Sequence, residues 1–336
     1  MINIVENTLR DGSYVNDFQF TKEQTLKVVS ELDKMGFKYI EVGHGLGLGA
    51  YNNSKCGFSA ENDETYIQTA RESAKNAKIV SFFIPGIGSI EDIRIAKSNG
   101  LDFIRCGINI NDFTNLIPYL EEAKKLGLTL AVNLMKSYAV KSYEFSEIVK
   151  EIDGWQLADV IYLVDSAGCM FPNEVHEYID RTSQNISTPL GFHGHNNLSM
   201  GIANSIQAMQ SGATFIDTCV RGMGRSAGNA QTEIFVWALK KLGIDVGIDL
   251  YDLYHFADNV LVNMMNRAQG LTSEEIHIGV SKFHTSYMSI AEEAADKFSV
   301  PKMELIQATS LVNCLNPSQQ LFNEIAHSMV NKSPKK

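Results

Sequence analysis

Residues 190–218 read LGFHGHNNLSMGIANSIQAMQSGATFIDT. A short apolar run at 190–193 is followed by an amphipathic stretch at 198–211, then by a second apolar run at 215–218. Apolar residues in the middle stretch recur at three- and four-residue spacing, which is the period of a helix face. A strand, a helix and a strand in this order make one parallel crossover unit.

The same unit recurs outward from this stretch. Apolar runs at 2–5, 39–42, 79–83, 103–106, 128–133, 160–164, 190–193 and 215–218 read as strands. Helical patterns fill the gaps at 22–35, 63–75, 90–98, 116–126, 143–157 and 172–182, besides 198–211, and Thr21 caps the first of them. Eight repeats predict an α/β fold, a (β/α)8 TIM barrel, because that count favours closure over an open sheet. A helix at 232–242 completes the repeat. Residues 246–336 carry almost no strand pattern and read as a helical C-terminal extension, with helices at 252–265, 287–298, 303–311 and 319–329 and a frayed tail at 331–336. The expected division is a barrel at 1–245 and a partner-contact helical region at 246–336. The apolar positions at 260–265 are expected to pack that region on the barrel.

The 336 residues exceed the roughly 250 typical of this barrel, which leaves room for the extension. A net charge of −10 excludes nucleic acid and anionic membrane as main partners. Cys56, Cys106, Cys169, Cys219 and Cys314 are scattered and form no C-x-x-C pair, so a reducing, cytoplasmic setting is expected. Cys169 and Cys219 read as buried small apolar residues rather than nucleophiles. No apolar run approaches the roughly 20 residues of a membrane span, and no secretory leader pattern opens the chain.

In such barrels the C-terminal strand ends carry the chemistry. Asn7-Thr8-Leu9-Arg10-Asp11-Gly12 follows the first strand and places a charged pair there. Gly191-Phe192-His193-Gly194-His195-Asn196-Asn197 ends the seventh. Strand side chains alternate faces, so His193 and His195 point the same way. Two imidazoles form half of a metal site, and a carboxylate is the usual third ligand. Each motif alone reads equally well as a satisfied polar loop. Closure brings strands 7, 8 and 1 side by side, so Asp11, His193 and His195 are expected to meet. One carboxylate and two imidazoles suit Mn²⁺, Mg²⁺, Co²⁺ or Zn²⁺. The Gly-rich loop after strand 8 offers Asn229 as a further ligand or supporting group. Glu41 and His44 are assigned to the polar mouth, and Lys136 to an exposed position at the exit of strand 5.

Three motifs, NTLRDG at 7–12, GFHGHNN at 191–197 and GMGRSAGNA at 222–230, resemble those of the pyruvate-carboxylase-like or DRE-TIM metallolyases (HMG-CoA lyase-like superfamily). Within that superfamily the chain is most similar to the 4-hydroxy-2-oxovalerate aldolases. The stretch IEVGHGLGL at 40–48, VDSAGCM at 164–170 and the helical C-terminal region carry this finer likeness. The resemblance implies a metal-dependent aldolase that cleaves or forms a 4-hydroxy-2-oxo acid, giving pyruvate and an aldehyde through a metal-stabilised enolate. It implies Mn²⁺ on Asp11, His193 and His195, enolate stabilisation by Arg10, and a pyruvyl pocket lined by Ser166 and His193. It also implies an aldehyde dehydrogenase partner at the C-terminal region, and a homo-oligomer.

One departure stands out. Two residues after the Gly of the RDG motif those aldolases carry a catalytic histidine; here the position is Tyr14. They place a tyrosine after a Leu-Gly step near the C-terminus; here the matching position, after Ile278-Gly279, is His284. The pair is exchanged, so His284 is expected to transfer the proton with Tyr14 as its hydrogen-bond partner. A Claisen-type acyl-CoA lyase or synthase, and a non-catalytic relative that keeps the metal site, remain as alternatives. The loop 222–228 lacks the cysteine that the lyase type carries.

Overall fold

Eight strands pair in parallel, each with the next, and the last pairs back with the first to close a barrel. They are β1 (Asn3–Leu9), β2 (Tyr39–Val42), β3 (Lys78–Phe83), β4 (Phe103–Asn109), β5 (Thr129–Met135), β6 (Val160–Asp165), β7 (Leu190–Gly194) and β8 (Phe215–Thr218). The computed structural model describes residues 2–332. The helices α1 (Lys22–Lys34), α2 (Asp63–Ser73), α3 (Ile90–Ser98), α4 (Ile117–Lys125), α5 (Ser142–Gly154), α6 (Pro172–Ser183), α7 (Gly201–Gln210) and α8 (Thr232–Lys241) follow the strands in turn. The expected (β/α)8 barrel with a helical C-terminal part is therefore what the chain forms.

Local chemistry sets the helix starts. Thr21 accepts from the Gln24 N–H while the Gln24 side chain accepts from the Thr21 N–H, a reciprocal cap on α1. The helix expected from 198 begins only at Gly201. Ser199 takes a left-handed conformation (φ 59°), and Asn196 Oδ1 accepts from the Gly201 N–H at 3.0 Å. β1 runs on to Leu9, so the first half of the NTLRDG motif lies inside the strand rather than after it.

The barrel interior is built in layers two residues apart, the strand period. Tyr39, Phe103 and Phe215 pack edge to face with centroids 5.5 to 6.4 Å apart as an apolar floor. Two residues on come Glu41, Arg105 and Asp217, with Tyr162 beside them. Arg105 is fully buried, bonds both carboxylates and lies 4.5 Å over the Tyr162 ring. Gly191 leaves room for that ring: a Cβ there would fall 2.6 Å from Tyr162 atoms. The next layer on β7 is His193, at the open end.

Beyond α8 come α9 (Leu250–Asn259), a 3-10 turn at Leu261–Met264, α10 (Ser273–Val280), α11 (Met288–Phe298), α12 (Lys302–Val312) and α13 (Gln319–Lys332). The expected helix at 252–265 breaks at Val260, where φ is −113°. Leu253, Phe256, Ala257 and Leu261 join the barrel's outer core, with Val260, Met264 and Met265 packed against it. α10 was not foreseen, although Thr272 and Glu275 form a capping box that the letters show. Ile278, Phe283, Ala291, Leu305 and Phe322 form a second, smaller core. Of the expected frayed tail, residues 333–336 lie outside the described residues. No helix among the described residues is long and apolar enough to cross a membrane.

Candidate active site

At the C-terminal mouth of the barrel, Asp11, His193 and His195 bring one ligand atom each within 4.8 Å of one another, all three buried. Asp11 starts a 3-10 turn (Asp11–Asn16) directly after Arg10. His193 Nδ1 lies 2.8 Å from Asp217 Oδ2, and His195 Nδ1 lies 3.3 Å from the Gly228 carbonyl. Both rings therefore have Nδ1 engaged and turn Nε2 to the shared space, the arrangement that orients imidazoles toward a cation. Burial alone would raise the Asp11 pKa. Arg10, the two histidines and Arg225 outweigh it and hold the carboxyl well below its usual range. Burial and Arg225 keep His195 well below the usual imidazole value, hence neutral. One carboxylate oxygen and two imidazole nitrogens are a donor set for a borderline divalent ion.

Arg10 is fixed from three sides. Its Nε donates to Glu41 Oε2 at 2.7 Å, its Nη1 to Asp11 Oδ1 at 2.9 Å, and its guanidinium sits 4.6 Å over the Phe82 ring. Glu41 also takes Arg105 Nη1 at 3.0 Å, so it ties the arginines together behind the site. Asn229 donates to Asp11 and to the Met223 carbonyl, and its Oδ1 is buried without a partner among the described residues. Ser166 Oγ accepts from the Lys136 N–H at 3.0 Å, and no acceptor for its own hydrogen appears among the described residues.

A cavity of about 650 Å³ opens over these groups; Tyr14, Ser166 and His284 line it too. His284 comes from the turn after α10, as the sequence match placed it. Ser286 holds its Nδ1, through Oγ at 2.7 Å and N–H at 3.2 Å, which leaves Nε2 toward the cavity. Burial, Arg225 and Lys136 push the His284 pKa well down. Burial pushes the Tyr14 phenol upward, so it stays an O–H donor. The two share the cavity, but no hydrogen bond joins them among the described residues.

Two positions differ from the expectation. His44 is fully buried behind the mouth, stacked 4.0 Å from Phe18. Its nitrogens meet the Leu46 N–H and the Gly57 carbonyl, and burial lowers its pKa to about 4. Lys136 is 2% exposed rather than solvated. Its left-handed backbone (φ 58°) turns the side chain inward, to the Leu315 carbonyl at 2.6 Å and the Tyr287 hydroxyl at 3.0 Å. Cys169 and Cys219 are buried, as expected, and all five thiols are free.

Sequence reasoning did not single out Arg105, Asp217 or Arg225. Arg105 and Asp217 sit at inward positions of β4 and β8, a parity the letters carry. Arg225 lies within the Gly-rich loop, where nothing local marks its direction. It donates to the Ser166 carbonyl at 2.8 Å, lies 3.0 Å from His195 Nε2, and reaches Thr285 Oγ1.

Residues 1–260 match the family model described as HMGL-like. The chain is 34% identical over 332 residues to 4-hydroxy-2-oxovalerate aldolase 2 of Rhodococcus jostii (strain RHA1), covering 99% of this chain and 96% of that one. It is 35% identical over 328 residues to the 4-hydroxy-2-oxovalerate aldolase of Pelotomaculum thermopropionicum, covering 98% and 96%. The carboxyl transferase domain structure from Rhizobium etli pyruvate carboxylase shares the fold with a TM-score of 0.80 at 14% identity, over all of this chain and 62% of that one.

Proposed function

This chain belongs to the HMGL-like family and is a carbon–carbon lyase, an aldolase of that superfamily; from that premise we propose that it splits or forms a 4-hydroxy-2-oxo acid, with pyruvate and an aldehyde as the pieces. The observation that carries this reading is the convergence of Asp11, His193 and His195 beside Arg10 at one cavity. Those three residues would hold a divalent cation, with Mn²⁺ the favoured ion, and Asn229 would orient the Asp11 carboxylate. Such an ion supplies Lewis acidity toward the 2-oxo group.

The chain's own residues supply the rest. Cleavage removes the 4-hydroxyl proton, breaks the C3–C4 bond and leaves the electron pair on pyruvate as its enolate. His284 is the proton acceptor in this reading. In the structure Nδ1 accepts from the Ser286 N–H, so this role requires the tautomer with the hydrogen on Nδ1, which Ser286 Oγ at 2.7 Å can accept, and the Nε2 lone pair free; burial keeps the ring neutral. Arg10 supplies N–H groups and positive charge where the enolate oxygen develops, and its clamps mean that little reorganisation is needed. Ser166 would donate its free O–H to the pyruvyl carboxylate. Tyr14, held as a neutral phenol, would donate to the aldehyde oxygen as the bond breaks.

The C-terminal helices form one wall of the same cavity. An aldehyde dehydrogenase docked there as acceptor of the aldehyde, in a cytoplasmic homo-oligomer, belongs to this reading; co-purification and sedimentation test it. The reaction is tested by coupling pyruvate release from 4-hydroxy-2-oxovalerate and its longer homologues to lactate dehydrogenase. Turnover that stops with a chelator and returns with Mn²⁺ is expected. Failure of every chain length to yield pyruvate would end the proposal.

A further inference from the structure

The cavity is lined by Arg10, Lys55, Lys136 and Arg225, but among the described residues Asp11 is its single carboxylate. Arg10 is already paired with Asp11 and Glu41. Lys136 and Arg225 are not: among the described residues neither has a carboxylate within ion-pair distance. Lys136 Nζ meets a carbonyl and a phenol, and Arg225 meets a carbonyl, a hydroxyl and an imidazole nitrogen. All of these are neutral acceptors. Lys136 is buried and Arg225 half-buried, and Asp11, whose carboxylate also feels Arg225, is already paired with Arg10; an ammonium buried beside a guanidinium with no carboxylate in contact is costly, so the pair points to an anion from outside. They are close enough to act on each other, since Arg225 and burial together lower the Lys136 pKa to about 8.

The pyruvyl half does not use this pair up. Its carboxylate and enolate oxygens are accounted for by the metal corner, Arg10 and Ser166. Lys136, by contrast, reaches the C-terminal wall at Tyr287 and Leu315, on the His284 side where the aldehyde half lies. Two N–H-rich groups there, one a planar fork and one a compact ammonium, match a carboxylate or phosphate. His195 Nε2 also serves as an Arg225 partner, and it is the nitrogen a metal would take. Loading the metal therefore leaves the guanidinium short of one acceptor, which an anionic tail can replace.

We propose that the aldehyde half of the substrate carries a second anionic group, a carboxylate or a phosphate, held between Lys136 and Arg225. This rests on the aldolase reading above and narrows its substrate class. The alternative role for Lys136 is a structural clamp on Leu315, which would impose no preference for charge.

Two measurements separate these readings. In the first, the Mn²⁺-loaded protein condenses pyruvate with matched aldehydes: succinic semialdehyde against butanal, and glyceraldehyde 3-phosphate against glyceraldehyde. The new bond joins pyruvate C3 to the aldehyde carbon; the C3 proton is lost and the aldehyde oxygen gains one. A kcat/KM preference of about 30-fold or more for the charged member of one pair is expected, on the scale of a buried charge contact. The pair that shows it identifies carboxylate or phosphate. In Lys136→Gln and Arg225→Gln that ratio should fall below about 3-fold. In the second, calorimetry compares 2-oxoglutarate with 2-oxopentanoate, which need no turnover. A charged tail about 10-fold tighter, with the ratio lost in both variants, supports the anion site even if no aldehyde reacts. Equal affinity for the two, or equal rates within both aldehyde pairs, overturns it while leaving the aldolase reading intact.

Discussion

His193 Nδ1 lies 2.8 Å from Asp217 Oδ2, and the same carboxylate oxygen also receives Arg105 from across the barrel. One buried oxygen thus sets the histidine's tautomer and neutralises the arginine that fills the barrel centre. Asp217→Asn keeps the shape but loses the charge. Outer partners of ligating histidines contribute about 10–100-fold in metal affinity, so Mn²⁺ titration of this variant should show a loss in that range.

Arg105 answers to a different readout. It is fully buried between Glu41 and Asp217, and a methionine in its place leaves Glu41 with Arg10 alone and Asp217 buried without its cation. Breaking such a pair costs about 3–5 kcal/mol. Denaturant unfolding of Arg105→Met should show a loss of that size; a change under about 0.5 kcal/mol, the range of ordinary surface substitutions, would mean the centre is not held by charge.

Gly228 sits at φ 86°, and a Cβ there would fall 2.0 Å from the Gly222 carbonyl oxygen. Its own carbonyl meets His195 Nδ1 and the Asn196 N–H. Gly228→Ala must move that loop, since L-residues reach this backbone only with strain. Weaker metal binding than wild type by at least about 10-fold is expected, with the global unfolding midpoint nearly kept. Unchanged affinity would show that the loop does not aim His195.

The Lys136 shift predicts a pH dependence with a definite sign. Its pKa is lowered to about 8, first by burial and then by Arg225, with Asp112 and Cys314 acting the other way and His284 also near. Below about pH 8 the ammonium is charged and available to an anionic tail. As pH rises through 8 the charge is lost, while Arg225 keeps its own. The calorimetric preference for 2-oxoglutarate over 2-oxopentanoate should therefore shrink between pH 7 and 9.5. In Lys136→Gln it should be flat across that range.

How much of this the letters carried follows from range of interaction. The eight strands were legible because runs such as Val160–Val164, the apolar part of β6, are buried on both faces. Asp11, His193 and His195 were legible because closure is a topological fact, and it places β7, β8 and β1 together whatever the side-chain details. Arg105 was not, since one charge inside an apolar strand has no local sign of the carboxylates that meet it. Lys136 was misread as solvated because its acceptors, the Leu315 carbonyl and Tyr287, lie more than a hundred residues away. Arg225 depends on a loop conformation that glycine-rich letters leave open. The capping box that opens α10 was local and readable, whereas the break at Val260, next to Leu261 buried against the barrel, has no local mark of that kind.

The account turns on one cation shared by Asp11, His193 and His195. Elemental analysis of the purified protein, together with calorimetric Mn²⁺ titration of wild type and Asp11→Asn, tests that most directly. One ion per chain in the wild type is predicted, with binding weakened at least about 100-fold by the substitution, on the scale of losing a charged, buried partner. A wild-type chain that takes up no divalent ion, or an Asp11→Asn variant that binds it as tightly, would contradict the account.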